Sequence, residues 1–326
     1  MAPRTLVAMI GLAMTLVHAQ APAILGAEPT SYPNRAIRII VPFPPGGPAD
    51  MIARLVAQRM SEDWGQPVLV ENRAGGNTAI GAQVAARSAP DGYTLLAAMD
   101  TTMVMNPLVT PNLPYDPLRD LAPITLLIRT VALVVVRSDG PKTIKELIAK
   151  AKANPGKLTI GSAGLGTVTH LANELFRREA KVDFTHVPYK STANSINDLL
   201  GGHIDAIFGD VALVTPQAEA GKLVALAVTG ESRSPLMPDL ITTAEAGFPA
   251  VQTEVWYGAL VSVKTPAPIV ARLKAATRAV QTDPVTQKML RQHGVVLGEP
   301  GSEAFAKFIR QEIERWTPIV TTVKMN

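Results

Sequence analysis

Three times along this chain a short run of strand-forming residues ends in a glycine-rich turn that opens a helix. Two strands lying parallel in one sheet need a crossover between them, so a repeated strand–turn–helix unit restricts the fold to α/β layers. The first unit takes residues 36–41 (AIRIIV) as a strand, turns through prolines and glycines, and starts a helix read over 48–60. In that helix Met51, Ile52, Leu55, Val56 and Met60 recur at helical spacing and mark one buried face. A second strand is expected at 68–70, an alanine-rich helix at 78–88 and a third strand at 93–98.

The pattern restarts midway. Strands are read at 132–136, 158–161, 182–187, 206–208, 223–228 and 255–263, with helices at 143–153, 167–178, 193–200, 267–281 and 302–323. The architecture repeats although the sequence does not. Strands 132–136 and 223–228 are candidate hinges that bracket a central block. The expected organisation is a discontinuous first lobe, residues 28–128 plus 230–326, with residues 129–229 inserted as a second lobe. In such sheets ligands bind beyond the C-terminal ends of the strands, where loops enter helix N-termini. Two lobes facing each other form a cleft that closes by hinge motion.

The loop VPFPPGGPAD (41–50) carries the most information. Gly46 and Gly47 permit a tight turn, and Pro48 suits the first helical position, where an N–H would have had no partner. The N–H groups of that first turn form an anion site that uses no charged side chain. Asp50 is placed to cap the helix and orient the loop. No Gly-Lys-Ser/Thr follows, so the loop is not a nucleotide P-loop. A second loop, NRAGGNTAIG (72–81), again joins strand to helix. Asn77 and Thr78 are N-cap residue types, and Arg73 is either a partner for a ligand carboxylate or a solvated surface charge. The third loop, SAGLGTVTH (162–170), combines Gly164 and Gly166 with the hydroxyls of Ser162 and Thr167. Its glycine spacing does not match a dinucleotide fingerprint. His170, one turn into the helix, reads as packed or hydrogen-bonded more than as a base.

Other classes are excluded by what the chain lacks. There is no cysteine, hence no disulfide framework, thiolate metal site, cysteine nucleophile or lipid attachment through cysteine. The 31 basic and 27 acidic residues are interspersed, with no basic block and few aromatics, which is not a nucleic-acid surface. No Gly-x-Ser-x-Gly elbow is present, and the five histidines form no metal-binding pair. Asp205 and Asp210 flank a short strand, but side chains five apart on a strand face opposite sides. Residues 6–17 form an apolar run of twelve, preceded by Arg4 and followed by small-residue cleavage sites at 17–19 or 25–27. That layout is a secretory signal over residues 1–27, too short for the roughly 20 residues a membrane span requires.

Taken in order, the motifs resemble the Bug or TctC family, the extracytoplasmic receptors of tripartite tricarboxylate transporters. The likeness covers essentially the whole chain after the signal. It rests on YP (32–33), IVPFPPGGPAD (40–50), VENR (70–73), APDGYTL (89–95), YDP (115–117), NPGK (154–157), SAG (162–164), HVPYK (186–190) and AEAG (244–247). The resemblance implies an α/β, two-lobed periplasmic binding protein of type II, with crossing hinge strands and a central cleft. It also implies a ligand carboxylate held largely by backbone N–H groups and ordered water. On this chain that points to Phe43, Gly47, Pro48, Ala49 and Asp50, then Asn77, Thr78 and Ala79. From the second lobe it points to Ser162, Thr167, His170 and Asp210, with Tyr189 nearby. Asp210 falls where family members read the far end of the ligand, an amine, hydroxyl or second carboxyl. Ser191-Thr192 departs from the usual Gly-Ser or Gly-Thr and adds a side chain beside the cleft.

The expected function is therefore a periplasmic receptor, with no catalytic residue, metal or cofactor. It would capture a small carboxylate (a di- or tricarboxylate, aromatic acid or acidic amino acid) and deliver it to the membrane components of a tripartite transporter. A monomer is expected, since both lobes must be presented to that partner. The competing readings are a periplasmic sensor with a signalling partner, and a two-lobed enzyme acting on a small acid.

Overall fold

A computed structural model describes residues 32–321 of the protein; the export signal expected at 1–27 lies outside them. Strand β1 (Ile37–Val41) leaves only Arg38 exposed, as a strand covered on both faces must. Helix α1 (Pro48–Trp64) starts on Pro48 and stops at Gly65, whose φ of 61° makes a left-handed cap. Ala49, Ile52, Ala53, Val56, Ala57 and Met60 are its buried stripe. β2 (Val68–Asn72), α2 (Ala79–Ala86) and β3 (Thr94–Met99) follow, and β2-β1-β3 is parallel throughout.

Beyond β3 the sheet is mixed, not purely parallel as the alternating pattern predicts. A π-helical turn (Thr101–Met105), α3 (Asn106–Val109) and α4 (Pro117–Asp120) lead into β4 (Leu121–Arg137). This strand runs 17 residues, against the 132–136 segment expected. It pairs antiparallel with β9 (Glu254–Ser262) over Leu121–Val131 and with β7 (Ala206–Asp210) over Ala132–Val136. One strand thus belongs to both sheets. β9 also lies antiparallel to β3. A chain that leaves one lobe and later returns runs in opposite directions through the strands at the crossing, and no crossover helix is needed between them.

The second sheet has the order β8-β4-β7-β5-β6, from β5 (Thr159–Ser162), β6 (Thr185–Pro188), β7 and β8 (Leu223–Val228). Its helices are α5 (Ile144–Ala153), α6 (Val168–Ala180), α7 (Thr192–Leu200) and α8 (Val211–Glu219). Residues after β8 stay with this sheet. Leu236, Met237 and Leu240 pack on the cluster holding Leu133, Ile207 and Val214, and the Phe248 ring lies 6.0 Å from Phe176. At the crossing the Thr229 hydroxyl accepts from the Ala132 N–H at 3.1 Å and donates to the Thr253 carbonyl at 2.8 Å. Three passes of chain are tied at that one point.

The remaining elements, α9 (Ala267–Thr282), α10 (Pro284–Gln292), β10 (Val296–Leu297) and α11 (Ser302–Val320), return to the first sheet. Helix α10 stands where no helix is expected; Asp283 caps it by accepting from the Thr286 N–H at 2.8 Å. Trp256 of β9 is fully buried and meets Phe305 and Phe308 of α11 edge-on at 5.4 and 5.7 Å. In a chain without cysteine such burial carries the stability, at about 2–3 kcal/mol for a large apolar side chain.

Candidate functional site

The loop between β1 and α1 is held from beneath. Gly46 has a φ of 91°, which only glycine adopts freely, and its N–H donates to Asp50 Oδ2 at 3.1 Å. The same carboxylate accepts from Arg54 Nε at 2.9 Å and from Asn72 Nδ2 at 3.0 Å. Asn72 also donates to the Phe43 carbonyl at 3.0 Å. Burial works against the ionised form of Asp50, but the bonds from Arg54, Gly46 and Asn72 prevail and hold its pKa below the ordinary carboxylate value. Asp50 is therefore a buried strut of the loop. The N-cap of α1 is Gly47, with no side-chain cap bond, so the first-turn N–H groups are left for another acceptor.

The second loop is held differently from expectation. Gly75, Gly76, Asn77 and Thr78 have consecutive positive φ values of 128°, 55°, 49° and 76°. Neither Asn77 nor Thr78 caps α2 with its side chain. Both bind Asn106, which follows the π-helical turn: Asn77 Nδ2 donates to Asn106 Oδ1 at 2.9 Å, and Asn106 Nδ2 donates to Thr78 Oγ1 at 3.1 Å. Arg73 pairs with Glu71, its Nε donating to Oε1 at 2.6 Å.

In the third loop the hydroxyls serve the backbone. Thr167 Oγ1 accepts from the His170 N–H and donates to the Gly164 carbonyl, capping α6. Ser162 Oγ shares a hydrogen bond with His186 Nε2 at 2.7 Å. His186 stacks on His170, with ring centroids 4.1 Å apart and planes 16° from parallel. Burial, with Arg177 nearby, lowers the pKa of His170 to about 4. Burial, His170 and Arg177 lower that of His186 to about 3. Both rings are neutral at neutral pH, and His170 Nδ1 accepts from the Gly166 N–H at 3.0 Å. No carboxylate bonds to His186 among the described residues, so the Ser162–His186 pair lacks the orienting group of a nucleophilic triad.

These loops meet across a cleft. Phe43, Gly47, Pro48, Ala49, Thr167 and Asp210 line a cavity of about 50 Å³. Phe43, Asn77, Thr78 and Tyr189 line an adjoining one of about 460 Å³. Asp50, Ala79, Ser162 and His170 do not line either cavity: Asp50 braces the first loop, Ser162 and His170 the third. Three further residues bear on the chemistry of the inner cavity. Asp100 follows β3 and lies fully buried, its pKa pushed up to about 7 by that burial. Tyr257 comes from β9, and Ser191 caps α7 by accepting from the Asn194 N–H at 3.3 Å. Ser191 is already placed beside the cleft by its departure from the family pattern, whereas Asp100 and Tyr257 carry no local sequence signal. Neither a metal-binding cluster of His, Asp and Glu nor a helix long and apolar enough to cross a membrane occurs among the described residues.

Two α/β lobes joined by crossing strands, with helix N-termini meeting in the cleft, define the class of periplasmic binding proteins. The chain belongs to the TctC family, the tripartite tricarboxylate transporter family receptors, whose sequence profile matches residues 52–325. It is thus a periplasmic solute-binding receptor of that family. BugT of Bordetella pertussis is 34% identical over 320 residues, which cover 97% of this chain and 96% of BugT. A Rhodopseudomonas palustris protein solved with adipate is 33% identical with a TM-score of 0.86, covering 89% of this chain and 98% of that one. MatC of the same organism, solved with bound malate, is 32% identical with a TM-score of 0.83, covering 89% and 100%.

Proposed function

We propose that this receptor captures a small carboxylate in the cleft, closes its lobes on it, and delivers it to the membrane components of a tripartite tricarboxylate transporter. One observation carries the reading. The N-terminal turns of α1, α6 and α7 all line the inner cavity, and no lysine or arginine does. Uncompensated N–H groups at helix starts, aided by the helix dipole, hold an anion without a salt bridge. Removed from bulk water by closure, such donors are stronger than in solvent. The adipate and malate carried by the two solved relatives agree with this chemistry.

In this reading Phe43, Gly47, Pro48 and Ala49 offer the first-lobe surface, Asn77, Thr78 and Tyr189 the outer part, and Thr167 and Asp210 the second-lobe surface. Asp50, Ala79, Ser162 and His170 act behind it. The lobes divide in β4 and again near Thr253, so that residues 230–252 travel with the second lobe. Export through the segment at 1–27 delivers the chain as a monomer to the periplasm. Titration calorimetry against mono-, di- and tricarboxylates, aromatic acids and acidic amino acids tests the capture step. Heat from at least one acid and none from a neutral sugar or peptide is expected. Binding of the neutral solute alone would remove the carboxylate assignment. Loss of uptake of that acid in a strain lacking the receptor tests delivery.

A further inference from the structure

The crossing strands carry a second cavity on the side away from the cleft. In β9, Val255 and Tyr257 line the inner cavity, so the alternating Glu254 and Trp256 face the opposite way. On that rear face Trp256 is opposite Arg129 of β4, and Arg129 is opposite Val296 of β10. Arg129 forms an ion pair with Glu254 and lies over the Phe308 ring, 5.5 Å from its centroid. Arg129, Glu254, Gly294 and Val296 form one wall of a rear cavity of about 210 Å³. The other wall is the segment 230–235, whose continuation Leu236 packs with the second sheet. Gly230, Ser232 and Ser234 keep that wall low. At one edge the walls already touch, since a Cβ on Gly294 would lie 2.7 Å from Leu236 Cδ1.

Cleft and rear cavity thus lie on opposite faces of the strands that join the lobes. At the front the lips meet: a Cβ on Gly164 of the second lobe would lie 3.7 Å from Asn77 Oδ1 of the first. Closely packed lobes move as nearly rigid bodies about a few hinge residues. A rotation that parts the lips must therefore bring the rear walls together. Resting on the division of the lobes proposed above, we propose that the rear cavity is the clearance consumed when the receptor opens. Side-chain volume added there blocks opening and shifts the protein toward its closed form. A receptor that holds its ligand only when closed has an apparent affinity reduced by the fraction of molecules closed. Filling the rear cavity therefore tightens binding without touching the ligand.

The chain has no cysteine, so spin labels can be placed at Ile80→Cys and Leu165→Cys, half-exposed positions beside the two lips. Ser232→Trp and Val296→Trp add an indole to opposite rear walls, and Val285→Trp, on α10 outside the cavity, is the control. Melting curves check that each variant folds. Without ligand, both rear variants are expected to raise the ratio of short to long lip distances about threefold or more, and the control to match wild type. Calorimetric titration with succinate, malate, adipate and benzoate follows. Any acid that binds the wild type is expected to bind both rear variants more tightly, by the factor by which the closed fraction rises. Unchanged or longer lip distances in the rear variants, an equal shift in the control, or weaker binding of such an acid overturn the proposal. Silence from all four acids counts against carboxylate capture, while the distances still decide whether the rear cavity limits opening.

Discussion

The two walls of the cleft solve the same problem in different ways. On the first wall α1 begins at an uncapped glycine, and a buried carboxylate, Asp50, fixes the loop from behind through Gly46, Arg54 and Asn72. On the second wall α6 and α7 are capped by Thr167 and Ser191, and a neutral histidine stack stands behind the loop. The difference teaches where the free donors lie. Pro48 brings no N–H, so the free donors of α1 are those of Ala49 and Asp50, while Thr167 and Ser191 take up only the His170 and Asn194 N–H groups and leave the two before each of them free. The difference also separates the pH at which acid loosens each wall, since the neutral histidines give way at higher pH than the ionised Asp50.

The largest effect expected follows from that contrast. His170 and His186 are neutral in the folded protein, whereas the unfolded chain takes up protons near the ordinary value of 6.5. Their contribution is whole above that value and is lost as pH falls through the folded values of about 4 and about 3. Between pH 6.5 and 4 the pair together loses stability on the order of a few kcal/mol. Asp50 behaves differently: its lowered pKa contributes stability above the ordinary carboxylate range and loses it only at lower pH. Hydrogen exchange at pH 7, 5.5 and 4.5 is therefore expected to show protection failing at 162–170 and 185–189 before 43–50. His186→Gln flattens the acid limb of the unfolding free energy. Simultaneous loss of protection at both walls would break the comparison.

Next in size is Asp50→Ala. It strands the Gly46 N–H and the Asn72 amide and frees the loop, at a cost of about 2–3 kcal/mol in denaturant unfolding. Acid affinity is expected to drop at least tenfold, because the α1 donors lose their fixed positions. Thr167→Ala, which removes one cap from the other wall, costs only about 1 kcal/mol. Equal costs for the two substitutions would show that the walls do not differ as described.

Asp100 sharpens the picture at the cleft floor. Its folded pKa of about 7 lies above its unfolded value, so its favourable contribution is complete in acid and is lost as pH rises through about 7. Asp100→Asn, which cannot ionise, is expected to gain in melting temperature relative to wild type between pH 5 and 8. A difference that stays constant across that range would mean Asp100 is not neutral in the folded protein at pH 5.

What the sequence discloses about this site follows from the range of the interactions. The turn at Gly46–Gly47, the proline start of α1 and the hydroxyl caps are local, and residue types within four positions announce them. The bracing of the second loop is not local: Asn106 binds residues 28 and 29 positions away, from a π-helical turn that shows no periodicity. Asp100 reaches the Trp256 N–H across 156 positions, so no window of sequence joins them. Asp50 and His170 show a related ambiguity: the residues alone read as a loop brace and a packed histidine, whereas the resemblance implies that both touch the ligand. A polar residue in a ligand loop looks the same whether it faces the ligand or holds the loop, and only burial and partners separate the two. The direction of β9 was equally hidden, because an antiparallel strand in a covered sheet carries the same apolar run as a parallel one.

The smallest expected effect concerns Ser191, where the family resemblance leads to an expectation of glycine. Its φ of −167° is extended backbone that any residue adopts, so glycine has no conformational advantage there. Its Oγ accepts from the Asn194 N–H at 3.3 Å and donates to Asn194 Oδ1 at 2.6 Å, which ties the hydroxyl to the helix start although the residue lines the inner cavity. Ser191→Ala is therefore expected to cost about 1 kcal/mol in unfolding free energy, and Ser191→Gly only a few tenths, since water reaches the freed N–H when the side chain is absent. If both changes instead leave stability untouched but alter which acids bind, Ser191 faces the ligand. The second wall would then add a hydroxyl to its N–H donors, and the contrast with α1 would narrow to the capped turn of α6.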